Sequence, residues 1–204
     1  MEKSAAFDVV IVPSDTVKKR AVQLSRSLKK HGGLFVLNER LYSTHVSLYM
    51  AELPLKNLSE IRKVLKNIAS NQKSFKLNPI LWHQSPDGYI DVEYKKTKSL
   101  ANLQRNIIKK LNPLREGLLR EKDITRLKTA KGLEKHNIQK YGFRSVGRKF
   151  EPHLTLTKLK AYKPEVTPRI SHERMSFSST EIGIFYLGEH GTCKKLVAKY
   201  KLGV

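Results

Sequence analysis

Residues 150–156 read Phe-Glu-Pro-His-Leu-Thr-Leu, and residues 44–48 read Thr-His-Val-Ser-Leu. In both, a histidine and a hydroxyl residue two places later alternate with apolar residues, the period of a half-buried strand. Residues i and i+2 of a strand share a face, so His45 projects with Ser47 and His153 with Thr155, while Val46, Leu48, Leu154 and Leu156 pack beneath. The tripeptide alone says little. Seven histidines and 26 Ser/Thr in 204 residues give roughly one His-x-Ser/Thr match by chance, and four occur. Context separates them: His83 leads into Ser85-Pro86 and His190 into Gly191, which is turn chemistry. The two that remain lie 108 residues apart, one in each half of the chain.

Working outward from the first motif, Phe7 to Val12 is a β-branched run closed by Pro13 and reads as a buried strand. Val17, Ala21, Leu24 and Leu28 recur at helical spacing behind Ser14 and Asp15, and Gly32-Gly33 ends that helix. A strand from Thr44 to Leu53 is followed by a helix on Leu58, Ile61, Leu65 and Ile68, with Asn57 and Glu60 in the manner of a capping box. Strands from Ser74 to His83 and from Tyr89 to Lys95 flank a Pro-Asp-Gly turn, and Leu100, Leu103, Ile107 and Leu111 mark a third helix. The segment from Asn112 to Lys149 is basic and irregular, with Asn112-Pro113 as a helix start. Beyond the second motif, which spans a strand from His153 to Leu159, come strands from Met175 to Leu187 and from Cys193 to Leu202. The order is α+β with hairpins, in place of strict βαβ alternation.

Composition bounds the function. Forty Lys+Arg against 18 Asp+Glu leave a net charge of +22, a field that attracts polyanions such as RNA, DNA or anionic membrane surfaces. The window from Gln104 to Lys149 holds 14 Lys/Arg and four Asp/Glu, so +10 of the excess sits there. No apolar run approaches the roughly 18 residues of a membrane-spanning helix. The N-terminus leads into a strand instead of a signal peptide, so an intracellular, cytoplasmic protein without membrane attachment is expected, with a nuclear location open for a eukaryotic source. The single cysteine, Cys193, cannot form an internal disulfide and, beside scattered histidines, offers no zinc cluster; no metal and no cofactor are expected.

Two imidazoles facing one anion suit phosphoester cleavage. One neutral ring takes a proton from the attacking oxygen while the other, protonated, gives one to the leaving oxygen. The hydroxyls of Ser47 and Thr155 would bind the phosphoryl oxygens. The competing structural reading, in which each histidine is a satisfied strand residue and each hydroxyl caps local backbone, outweighs this for one motif and loses to it for a matched pair in a basic chain.

Paired His-x-Ser/Thr strands, one per half of a chain of this length, resemble those of the two-histidine phosphoesterase superfamily, which includes the 2′-5′ RNA ligase-like proteins and the cyclic phosphodiesterases. Phe150 to Leu156, with its proline before the histidine, is similar to that family's second motif, and the closing strand pair looks familial. The resemblance covers most of the chain, loosely, except the stretch 112–149. It implies a single bilobal α+β domain over residues 1–204 with pseudo-twofold symmetry, an antiparallel sheet with helices in each lobe, and the motifs facing each other across a central cleft. It makes His45 and His153 the acid/base pair, and Ser47 and Thr155 the phosphate donors. Ser47 stands where many members carry threonine and keeps the hydroxyl. The implied activity is metal-independent hydrolysis of RNA 2′,3′-cyclic phosphate ends, with 2′-5′ ligation as its reverse. Cleavage of 2′-5′ or 3′-terminal oligonucleotide linkages by the same residues is the alternative, and a non-catalytic RNA-binding module stands outside both. The charge favours RNA as partner over a small nucleotide; a monomer is expected.

Further candidates flank the motifs. Lys158 follows the second motif where a cation could meet phosphate, although strict alternation puts it with Leu154 and Leu156 unless the strand twists or ends. Tyr49 follows Ser47 on the same face by alternation and would stack on a base or wall the groove. Tyr141, Phe143, Arg144 and Arg148 interleave aromatic and basic residues, which suits single-stranded RNA and equally a set of core aromatics in a basic loop.

Overall fold

The β-branched run predicted at Phe7 becomes β1, Ser4–Ile11, in a computed structural model that describes residues 3–203. Helix α1, Asp15–Leu28, starts where the Ser14 side chain accepts from the Val17 N–H, and ends through a 3-10 turn at Gly32, whose φ of 96° suits glycine. Strand β2, Val46–Pro54, starts two residues later than the expected Thr44, directly after His45; it carries Ser47 and leads into α2, Leu58–Ser70. The capping box expected there does not form. Asn57 lies in a 3-10 turn and its amide donates to the Leu114 carbonyl and the Glu116 carboxylate, tying α2 to the segment after the third helix.

The strand expected over Ser74 to His83 divides into β3, Phe75–Leu77, and β4, Pro79–Gln84, because Pro79 has no N–H with which to continue a ladder. β4 pairs with β5, Tyr89–Tyr94, and α3, Lys98–Leu111, follows with Thr97 as its side-chain cap. The basic stretch holds two short helices, α4 (Glu121–Leu127) and α5 (Gly132–Tyr141); Asn112-Pro113 opens only a 3-10 turn. The second motif forms β6, His153–Lys158. The next expected strand breaks at Thr180 into β7, Phe177–Ser179, and β8, Glu181–Leu187, and β9 is Cys193–Lys201.

A four-stranded sheet runs β2-β1-β8-β9, a three-stranded sheet runs β4-β5-β6, and β3 pairs with β7; all the ladders are antiparallel. Each motif thus lies on an edge strand, with β1 inside β2 and β5 inside β6. The two edges meet: β2 contacts β6, α1 packs on β6, and α3 packs on β2, so each lobe's helix supports the other lobe's motif. One hydrophobic core, including Ile11, Leu48, Ile90, Leu103 and Leu154, runs through both lobes. Burial of that surface, at roughly 25 cal/mol per Å² of apolar area, holds the two motif strands together. Among the described residues no helix is long and apolar enough to cross a membrane.

Candidate active site

The two motif strands share an irregularity that the sequence does not announce. Along β2, Ser47 pairs with Val10 but Tyr49 pairs with Val9, leaving Leu48 as an extra residue; along β6, Thr155 pairs with Asp91 but Thr157 pairs with Ile90, leaving Leu156 as the extra residue. Both strands therefore bulge immediately after the hydroxyl. A bulge restarts the alternation one residue late, so the faces beyond it exchange. Lys158 now pairs with Tyr89, on the face that carries Asp91 and Thr155, and its Nζ lies 5.0 Å from the Tyr89 ring centroid. Strict alternation placed Lys158 on the apolar face; the bulge returns it to the side of His153 and Thr155.

The same geometry removes Tyr49 from the cleft. Instead of sharing a face with Ser47, it is 1% exposed in the core, and its hydroxyl donates to the Tyr141 carbonyl at 2.7 Å and contacts Asn112 Oδ1 at 3.4 Å. Phe143 is buried as well, edge-on to Tyr49 at 6.0 Å between centroids and beneath the Arg120 guanidinium. Its ring is part of the core, not a platform for a base. Tyr141 is half-buried under Lys140, while Arg144 and Arg148 are exposed.

Each motif histidine is anchored in the same way. His45 Nδ1 lies 2.7 Å from the Ser43 carbonyl, and His153 Nδ1 lies 2.8 Å from the Glu151 carbonyl, two residues back in both cases. A carbonyl only accepts, so Nδ1 carries the hydrogen and the lone pair of the neutral ring is on Nε2. Their settings differ. His153 is exposed, whereas His45 is only 8% exposed. Burial holds the pKa of His45 below the ordinary 6.5, against the Ser43 hydrogen bond, and the nearby charge of His153 lowers it further.

The hydroxyls differ too. Thr155 makes no hydrogen bond among the described residues, while Ser47 donates to Asp8 Oδ2 at 2.6 Å. Asp8 is fully buried on β1, and burial raises its pKa to about 8 despite the Ser47 bond and the positive charge of Arg120. Its carboxyl therefore keeps its proton far above the ordinary carboxylate range. Its Oδ2 lies 3.7 Å from His45 Nε2 and 3.9 Å from Cys193 Sγ, so a carboxyl, an imidazole and a thiol gather within 4.8 Å where the sequence promised no such cluster. Burial also raises the Cys193 thiol, and a cation here would have to displace two protons. The sequence signal for Asp8 was a carboxylate inside an otherwise apolar strand.

The basic stretch contributes to the second-motif side. Desolvation of its ammonium holds the Lys122 pKa down, and the positive charges of Arg144, Arg120 and Lys158 add to the effect, which puts Lys122 within the field of three other cations. Arg120 is held by Asp123 at 2.6 Å.

Solved structures share this fold over nearly their full length. The chain is similar to a phosphoesterase (13% identity, TM-score 0.63, covering 99% of this chain and 100% of that one). It is similar to TT0787 of Thermus thermophilus (14%, 0.65, 97% of each chain) and to E. coli LigT complexed with phosphate (13%, 0.57, 100% of each). At such identities the likeness is one of fold, and that fold is the bilobal one of the two-histidine phosphoesterases. Comparison with curated proteins gives no match. Residues 52–180 match the family described as "Protein of unknown function (DUF1045)", a span that begins after Ser47 and includes His153 and Thr155. That match covers more than half of the chain, and the protein belongs to the DUF1045 family.

Proposed function

We propose that the protein is a phosphodiesterase that opens the 2′,3′-cyclic phosphate at RNA ends by paired-histidine acid/base catalysis. The observation that carries this reading is the repeated local geometry: two edge strands in contact, each with a histidine anchored through Nδ1, a hydroxyl two residues on, and a bulge directly after it. The unequal surroundings suggest unequal roles. His45, kept neutral by burial, suits the base: Nε2 takes a proton from water as the water oxygen bonds to phosphorus. His153, on the open side, delivers a proton to the departing 3′ oxygen, and a 2′-phosphate remains. Thr155, Ser47 and Lys158 stabilise the charge that builds on the phosphoryl oxygens; for Ser47 this requires its hydroxyl to turn from Asp8. The same displacement with a terminal hydroxyl in place of water, again breaking the bond to the 3′ oxygen, is 2′-5′ ligation. The reading includes no metal or cofactor, and a monomer acting on cytoplasmic RNA.

The test is hydrolysis of a short RNA ending in 2′,3′-cyclic phosphate, in EDTA, by the wild type and by His45→Ala and His153→Ala. Loss of at least a hundredfold in both variants supports the pair. Wild-type inactivity on this substrate with cleavage of 2′-5′ or 3′-terminal linkages moves the assignment to an oligonucleotide phosphodiesterase. Inactivity on every phosphodiester with RNA affinity intact makes the site a binding module.

A further inference from the structure

The face of the four-stranded sheet that carries Ser47 does not end at the motif. Register places Val10 opposite Ser47, Gly183 opposite Val10, and Lys199 opposite Gly183; one step along, Asp8, Phe185 and Leu196 lie side by side. Over this face opens a cavity of about 490 Å³. Its floor is apolar, with Val12, Phe185 and Leu196, and Leu41 closes one side; Leu41 and Leu196 are 61% and 46% exposed. Its rim carries five cations, Lys18, Arg40, Lys194, Lys195 and Lys199, against one carboxylate, Glu39.

The cations are not spent on neighbours to the same degree. Lys18 pairs with Asp15 and Lys199 with Glu181, but Arg40, Lys194 and Lys195 are exposed and form no ion pair among the described residues. The Glu39 carboxylate is turned inward, accepting from the Thr44 N–H and hydroxyl. The cavity also shares a wall with the candidate active site. Ser43 lines it, and the Ser43 carbonyl holds His45 Nδ1 at 2.7 Å. The lining runs from Thr44, next to His45, past Phe185 on β8 to Lys194, Lys195 and Lys199 on β9.

We infer that this groove is a binding site for the single-stranded RNA chain leading to the reacting end, with phosphates on Arg40, Lys194 and Lys195 and bases against the exposed side chains of Leu41 and Leu196. The inference rests on the proposed phosphodiesterase reading for its orientation, and it names the substrate class: an oligonucleotide, not a mononucleotide. Exposed apolar side chains, here Leu41 and Leu196, within a cationic rim are the combination that single strands require, since each nucleotide presents a charge and a flat apolar face. An acidic peptide would meet the cations but leave the floor unused.

Fluorescence anisotropy of a labelled eight-nucleotide RNA with a 3′-phosphate tests the groove without any turnover. The wild type is expected to bind more tightly as the RNA lengthens from one to about four nucleotides. Lys194→Glu/Lys195→Glu should weaken the eight-mer at least tenfold and lower the slope of log affinity against log salt by roughly 1.4, at about 0.7 per phosphate contact. Arg40→Ser and Leu196→Ser, which change exposed side chains, should each weaken it several-fold. Unchanged affinity in the double variant, or length-independent binding, would overturn the groove. Neither result depends on catalysis: hydrolysis of a nucleoside 2′,3′-cyclic phosphate by the wild type, measured alongside, reports on the histidine pair. Normal turnover with unchanged RNA affinity sinks the groove alone, and absent turnover with length-dependent, charge-sensitive binding sinks the phosphodiesterase alone.

Discussion

Ser47 gives its hydroxyl to Oδ2 of Asp8 at 2.6 Å, while Thr155, at the equivalent place before the second bulge, keeps its hydroxyl free among the described residues. The pseudo-symmetry of the motifs is thus broken by one buried carboxyl. Register puts Asp8 where the second lobe has Tyr89, and Met50 where it has Lys158. The second half offers a free hydroxyl and a cation; the first offers a sheltered ring and a hydroxyl held in reserve.

Asp8 gives the fold a pH dependence of determined sign. Its proton leaves the unfolded chain near 3.8 and the folded protein only at about 8. The stability that this group contributes is therefore complete below 3.8 and is lost as pH rises through about 8. In denaturant titrations from pH 5 to 8, wild-type stability should fall relative to Asp8→Asn by up to about 1.4 kcal/mol per pH unit. A constant difference between the two would show that Asp8 is ionised in the folded protein.

The phosphodiesterase reading places the acid limb of the pH–rate profile. His45 must be neutral to accept a proton, and burial holds its pKa below 6.5. The acid limb in kcat/KM should therefore fall below that value, and it should be absent from the residual activity of His45→Ala. An acid limb at or above 6.5 would count against a buried His45 as the base.

The bulges predict opposite outcomes for two residues near the motifs. Tyr49→Phe removes a buried hydroxyl that donates to the Tyr141 carbonyl. It should cost about 1–2 kcal/mol of stability, read by urea denaturation, and leave turnover unchanged. Lys158→Ala should cost little stability and raise KM for a cyclic phosphate substrate about tenfold. A rise in KM for Tyr49→Phe with none for Lys158→Ala would reverse the assigned faces.

Gly88 closes the β4–β5 hairpin at a φ of +85°, and a Cβ there would lie 2.7 Å from the Leu159 carbonyl oxygen at the end of β6. Gly88→Ala should therefore destabilise by about 2 kcal/mol or more. Because the collision falls on the strand that carries His153, activity should decline at temperatures where the rest of the fold persists. Wild-type thermal stability in this variant would mean that the turn relaxes freely.

Much of this protein was determined locally. Periodic apolar residues specified α1, α2 and α3 within a few positions, and alternation specified β2, directly after His45 and carrying Ser47, and β6 with His153 and Thr155. These signals survive because helix and strand periods are properties of neighbouring residues. The motif pair was singled out on the same local ground: polar–apolar alternation around His45 and His153, against turn residues after His83 and His190.

Tertiary structure alone decided the rest. The bulges at Leu48 and Leu156 arise from how each strand registers on its neighbour, so no residue within β2 or β6 announces that Tyr49 turns into the core and Lys158 into the cleft. Asp8 precedes Ser47 by 39 residues, and burial, which raises its pKa, is a property of the assembled sheet. The groove joins Arg40, Phe185 and Lys194 from distant segments. Charge fields and cavities depend on distances in space, and the linear order of the chain carries no measure of these.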